Sequence, residues 1–232
     1  MRLTLLIGPS EHAAARFRAV FKDKSEKLRK QGITAPDWNH VRLYAACAAP
    51  EAVGVLRFRR GMQSPLVQHT LTAEFQGVLE NDLAKVKTEH VVMAAAQLGN
   101  LLHDPDEIKR LHDLLSPHFD HIQIVAHLGE QAQQLCNHYT YAVAEGRRNG
   151  LETELALAKG KSWWQEALDQ RDENRPFTGL FNDVQHPAFW LDYKSLLNNW
   201  EAQFGKENVT LRPLDTAHLL SCLLYTSPSP RD

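Results

Sequence analysis

Cysteine is scarce in this chain, and its three copies, Cys47, Cys136 and Cys222, fall at irregular spacing. They make neither a disulfide framework nor a zinc signature, which suits a reducing compartment and a fold held by its core. No apolar run reaches the ~18 residues of a membrane-spanning helix, and Met1 leads directly into a strand-like segment without a signal-peptide core and cleavage site. A cytoplasmic location with no membrane span is the expectation. Charge of one sign is lacking as well. A formal net charge of -2 and a pI near 6.6 supply no basic field, so nucleic acid is not an expected partner. The twelve histidines include no H-E-x-x-H run and no closed Cys/His set, and no metal site is expected.

What is present is an ordinary globular composition, 43% hydrophobic and 23% charged over 232 residues, enough to bury the core of one domain. The stretch Leu3 to Phe17 organises it. Leu3, Leu5, Leu6 and Ile7 give a buried strand, Gly8-Pro9 a tight turn, and Ser10 opens a helix through Ala13, Ala14 and Ala15. Strand, turn and helix in that order form the framework of a phosphate-binding loop, in which turn amides and the positive end of the helix dipole point at an anion. The lysine and hydroxyls that such chemistry normally uses are missing. Glu11 and a run of alanines stand in their places.

Beyond the turn, elements alternate. The first helix is expected from about Ser10 to Lys30, with Phe17, Val20, Phe21 and Leu28 on one face and Gly32 closing it. A loop with Pro36, Trp38 and His40 leads to a short strand near Val41 to Ala45, and residues 50 to 65 carry no clear pattern. Helical spacing runs from Leu71 to Val86, a buried strand from His90 to Ala96, and a helix through Ile108 to Leu115 that Asp104 or Asp106 would cap. A strand at His121 to Leu128, helices at Glu130 to Glu145, Leu151 to about Gln170 and Leu191 to Phe204, and a strand at Val209 to Leu211 complete the order. Residues 171 to 190 read as a structured loop or lid. Strands separated by helices imply parallel pairing, hence an α/β three-layer P-loop fold with a central parallel sheet flanked by helices. Ligands of such folds sit beyond the carboxyl ends of the strands, which places Ser10, Gln97 and Gly129 around one mouth.

The final eleven residues, CLLYTSPSPRD at 222–232, read codon for codon as a translated transposase-type sequencing adapter. They are expected to be an artefactual tail that makes no persistent contact with a single domain at 1–221, itself cut short of its natural C-terminus.

L-x-I-G-P at Leu5 to Pro9, H-L-G-E-Q at His127 to Gln131, Tyr139 and Gly146 beyond it, and L-D-Y-x-x-L-L-x-x-W-x-x-x-F-G at Leu191 to Gly205 before V-T-L-R-P together resemble the bacterial sulfotransferase-like P-loop family. The resemblance implies an enzyme that moves a sulfuryl group from 3′-phosphoadenylyl sulfate to a hydroxyl or amine, frequently on a glycan. The family's turn is G-P-x-K-T-G-T-T. Here Gly8 and Pro9 match, Glu11 falls on the lysine, His12 on the first threonine, and Ala13, Ala14 and Ala15 on the residues that follow. The family's second donor strip carries an arginine and a serine on the 3′-phosphate. Gly129 and Asn137 stand there, with Leu128, Gln131 and Tyr139 kept, and Gln97 replaces a glutamate after the third strand.

The donor-binding candidates are therefore Gly8, Pro9, Ser10, Gln131 and Asn137, and the single candidate for catalysis is His12, as an anion donor or base or as a plain first-turn polar residue. Glu11 is equally a good first-turn residue for the helix dipole. Trp163, Trp164, Phe189 and Trp190 offer either a sugar-stacking surface or core packing. Arg57, Arg59 and Arg60 offer either an anion-binding cluster or a solvated loop. The functional expectation is a sulfotransferase-fold protein with impaired catalysis, partnering a glycan or an active relative. The alternative is an active enzyme with a rebuilt donor site, using 3′-phosphoadenylyl sulfate.

Overall fold

The structure is a computed structural model, and it describes residues 1–36, 40–171 and 178–214. Five strands, β1 (Arg2–Leu6), β2 (Ile33–Thr34), β3 (His90–Ala94), β4 (His121–Leu128) and β5 (Val209–Pro213), form one sheet in the order β2-β3-β1-β4-β5. Every pairing is parallel, as the alternation of elements requires, with Leu3 opposite both Val91 and Ile122. β1 is thus central. Leu3 and Leu5 of β1, Ile7 just past its end, Val91 and Met93 of β3, and Ile124 and Ala126 of β4 are all fully buried, which is why these runs are apolar.

The helices are α1 (Glu11–Asp23), α2 (Ser25–Lys30), α3 (Val41–Cys47), α4 (Val55–Arg59), α5 (Pro65–Leu83), α6 (Ala96–Asn100), α7 (Pro105–Leu115), α8 (Gln131–Ala144), α9 (Glu152–Leu157), α10 (Trp163–Asp169), α11 (Asn182–Gln185) and α12 (Tyr193–Phe204). Asp104 caps α7 in a reciprocal box with Glu107, and Gly205 takes φ 85 to close α12. α1 lies along β3 and α6, while α3, α5, α7 and α12 pack on one another.

Some sequence expectations need correction. Val41 to Ala45 is helix, not strand: every residue of α3 except Arg42 is buried, so the run lacks the broad polar side that would reveal a helical period. The strand of that region is the two-residue β2, which follows Gly32 at φ 78. The first long helix divides at Lys24 into α1 and α2, and the Leu151 to Gln170 stretch divides into α9 and α10, with Ser162 capping the second. The tail at 222–232, Trp38, and part of the 171 to 190 segment lie outside the described residues.

Candidate functional site at the loop after the first strand

The turn at Gly8-Pro9-Ser10 sits at the carboxyl end of β1, between its two neighbours in the sheet. A Cβ on Gly8 would lie 2.7 Å from the carbonyl oxygen of His127 on β4, so only glycine fits there. From the other side α6 closes in. A Cβ on Gly99 would meet the Ile7 carbonyl oxygen at 1.9 Å, and Asn100 Nδ2 donates to the Pro9 carbonyl at 3.1 Å. The turn is therefore held rigidly by backbone contact on both flanks.

Ser10 caps α1, its Oγ accepting from the Ala13 amide at 3.3 Å. Its hydroxyl is committed to the helix. Among the described residues the amides of Gly8, Ser10, Glu11 and His12 enter no hydrogen bond, and they gather where the dipole of α1 begins. This is a nest of donors suited to an anion.

Glu11 is the half-exposed first residue of α1. Its carboxylate accepts from Arg18 Nη2 at 3.0 Å and from Gln97 Nε2 at 2.7 Å, while Arg18 Nη1 donates to the Ala94 carbonyl at the end of β3 at 3.1 Å. Arg18, which the sequence reading passed over, lies seven residues after Glu11, two helical turns along the same face. That spacing was the available signal. The side-chain amide oxygens of Gln97 and Asn100 are buried without a donor, and Nδ1 of His127, whose ring tilts against Phe17 at 5.0 Å, is buried without a partner. Burial, then the charge of Arg212, holds the His127 imidazole below its ordinary pKa.

His12 is exposed on the first turn of α1 and makes no hydrogen bond or ion pair. Gln131 opens α8 and donates from Nε2 to the Leu191 carbonyl at 2.8 Å, tying the helix to the segment before α12. Asn137 lies six residues further, about 9 Å along the helix axis, exposed and accepting from Gln133 at 3.0 Å. Gly129 precedes α8, and a Cβ there would come within 2.6 Å of Gln134 Nε2. The structure thus gathers Gly8, Pro9, Ser10, Glu11 and Gln97 at one point and sets Gln131 and Asn137 along α8.

Behind the turn, His40 Nδ1 accepts from the Ala94 amide at 2.8 Å and Nε2 donates to the Pro36 carbonyl at 3.1 Å. Burial, and then the charge of Arg18, outweigh the opposing pull of those bonds and keep it neutral, its pKa brought down to about 4. The arginine cluster disperses on folding. Arg57 is 1% exposed, and its guanidinium donates to the carbonyls of Ala49, Pro50 and Ala52 at 2.6, 3.1 and 2.9 Å. Arg59 pairs with Glu145. Trp164, Phe189 and Trp190 are core residues, and Trp163 Nε1 donates to the Ala188 carbonyl at 2.8 Å. Among the described residues no cluster of three or more His, Cys, Asp or Glu side chains is placed to hold a metal, and no helix is long and apolar enough to cross a membrane.

A crystal structure of a sulfotransferase from Alicyclobacillus acidocaldarius superposes with a TM-score of 0.51 over 90% of this chain and 72% of that one, at 13% identity. The chain has a sulfotransferase-like fold. No protein-family model and no curated protein matches it. In this chain the Gly8-Pro9-Ser10 turn lies after the central strand and before the first helix.

Proposed function

We propose that this sulfotransferase-fold chain does not transfer a sulfuryl group and serves instead as a binding or regulatory partner, of a glycan or of an active relative, with residues 1–221 as its domain. The observation that carries the reading is the anchoring of Glu11. An anion tied to Arg18 and Gln97 stands where the resemblance calls for a cation, and both of its contacts resist rotation away. Transfer of a sulfuryl group requires positive charge at the developing oxyanions, and Glu11 supplies the opposite sign. Gly129 and Asn137 also lack the charge that would hold the donor's other end, so positioning is lost along with electrostatic stabilisation.

A second reading rests on the unspent amides of Gly8, Ser10, Glu11 and His12, which retain an anion nest. In that reading the donor site is rebuilt around the nest, with the exposed His12 facing the anion and Asn137 in the outer strip, and 3′-phosphoadenylyl sulfate serves a hydroxyl acceptor. Calorimetric titration with 3′-phosphoadenosine 5′-phosphate, paired with a sulfuryl-transfer assay, separates the two. Weak or absent binding and no transfer are expected. Binding at ~1 μM that His12→Ala abolishes would overturn the impaired reading and support the rebuilt site.

A further inference from the structure

Away from the loop, a cleft of about 280 Å³ opens between the segment after α3, the turn before α7 and the start of α11. Among the ionic side chains that line it, Arg171 and Asp183 are of opposite sign and each has polar capacity left over. Arg171 lies over the Phe189 ring at 5.0 Å and directs Nη1 to His103 Nε2 at 3.4 Å, while its Nε is buried with no acceptor. Asp183 uses Oδ2 to accept the Val55 amide at 3.2 Å, and its Oδ1 is buried with no donor. The two do not pair with one another among the described salt bridges, although opposite charges in a common cleft attract strongly when water is excluded. Held apart by their own anchors, they present a donor and an acceptor to whatever enters between them.

The neighbouring groups narrow the choice of ligand. His103 Nδ1 donates to the Leu101 carbonyl at 3.1 Å, leaving Nε2 as a lone pair toward Arg171, and burial and that guanidinium both favour the neutral ring. Glu107 is spent on the amides of Ala49, His103 and Asp104 at 2.6, 3.1 and 3.3 Å. Asp104 is spent capping α7. Glu51 is exposed at the rim, so the acidic surroundings oppose a dianion such as phosphate and favour a ligand that brings its own cation. Val53, Ala52 and Leu101 give the remaining wall an apolar stretch, beside Tyr44 and Asn182. The volume falls just under the ~300 Å³ at which pockets for drug-sized ligands begin, which suits a small metabolite.

We propose that this cleft binds a small zwitterion, an α-amino acid with a short aliphatic side chain, its carboxylate on Arg171 and its ammonium on Asp183. The site is separate from the loop and does not depend on whether the loop binds a nucleotide. Calorimetry with L-valine tests it, alongside two truncated analogues, isovalerate, which lacks the ammonium, and isobutylamine, which lacks the carboxylate. L-Valine is expected to bind saturably, and each analogue at least ~tenfold more weakly. Arg171→Gln and Asp183→Asn should each weaken L-valine by a similar factor, while Glu11→Lys leaves it unchanged. Circular dichroism checks that the variants fold; if either does not, the analogue comparison on the unaltered protein decides. Absence of saturation up to ~10 mM, isovalerate binding as well as L-valine, or full binding by both variants would each overturn the proposal.

Discussion

Replacing Glu11 with lysine isolates the electrostatic effect of the loop. At ~5 Å from a phosphate, exchanging an anion for a cation alters the Coulomb energy by about 6 to 7 kcal/mol at an effective dielectric of ~20, and by about 1.7 kcal/mol at the dielectric of water. The Glu11 side chain is 51% exposed, so the lower figure is the better guide, and salt reduces it further. The expected gain is therefore up to about twentyfold in affinity for 3′-phosphoadenosine 5′-phosphate at low salt. Lysine would also lose the contacts with Arg18 and Gln97 and place a cation at the positive end of α1. An exposed ion pair and a favourable first-turn carboxylate are each worth up to about 1 kcal/mol, so Glu11→Lys should destabilise the fold by about 1 to 2 kcal/mol. Calorimetry at low and high salt, together with urea denaturation, measures both effects. Equal affinity of parent and variant at low salt would refute the assignment of Glu11 as the charge that blocks the nest. Adding Gly129→Arg requires Gln134 to swing aside, because its Nε2 lies 2.6 Å from the new Cβ.

Other consequences follow from the packing. His40 and His138 are buried and neutral with pKa values lowered from 6.5 to about 4, so the unfolded chain binds more protons between those limits and stability falls as pH drops through that window. Each contributes about 3 kcal/mol that is lost by pH ~4, and urea midpoints at several pH values should show it; His138→Gln should make the fall shallower. Breaking the fully buried Arg147–Glu154 pair, 2.6 Å between Nη1 and Oε1, with Glu154→Ala strands a guanidinium and should cost about 3 to 5 kcal/mol by chemical denaturation. Gly99→Ala should destabilise by at least ~2 kcal/mol, since its Cβ would meet the Ile7 carbonyl at 1.9 Å, and a melting temperature within a degree or so of the parent would show that α6 yields readily.

The parts of the fold legible in the sequence were those whose burial is one-sided or terminated by special residues. β1, β3 and β4 are apolar runs bounded by turn residues, and Asp104 and Gly205 mark helix ends by their chemistry. α3 escaped because burial of all but Arg42 nearly erases amphipathic periodicity, and β2 because two residues carry no period at all. The site divides in the same way. Gly8 and Pro9 announce a turn locally, whereas the role of Arg57 depends on three carbonyls that only tertiary folding brings around it. A buried arginine held by backbone carbonyls and a solvated one have the same letter in the sequence.

The contact between Glu11 and Gln97 gives the loop an internal logic. Were residue 97 a glutamate, two carboxylates would meet where Gln97 Nε2 now lies 2.7 Å from Glu11, and one of them would have to take up a proton or turn away. The amide removes that repulsion and supplies a donor. Arg18 completes the arrangement by joining the carboxylate to the Ala94 carbonyl, so the end of β3 and the start of α1 are bridged through a side chain that, in a phosphate-binding loop, would have been a cation facing the ligand. The Glu11 carboxylate is thus accommodated by its surroundings. The backbone nest persists beneath it, because Gly8 and Gly99 are fixed by contacts with neighbouring backbone that hold whether or not a phosphate is bound.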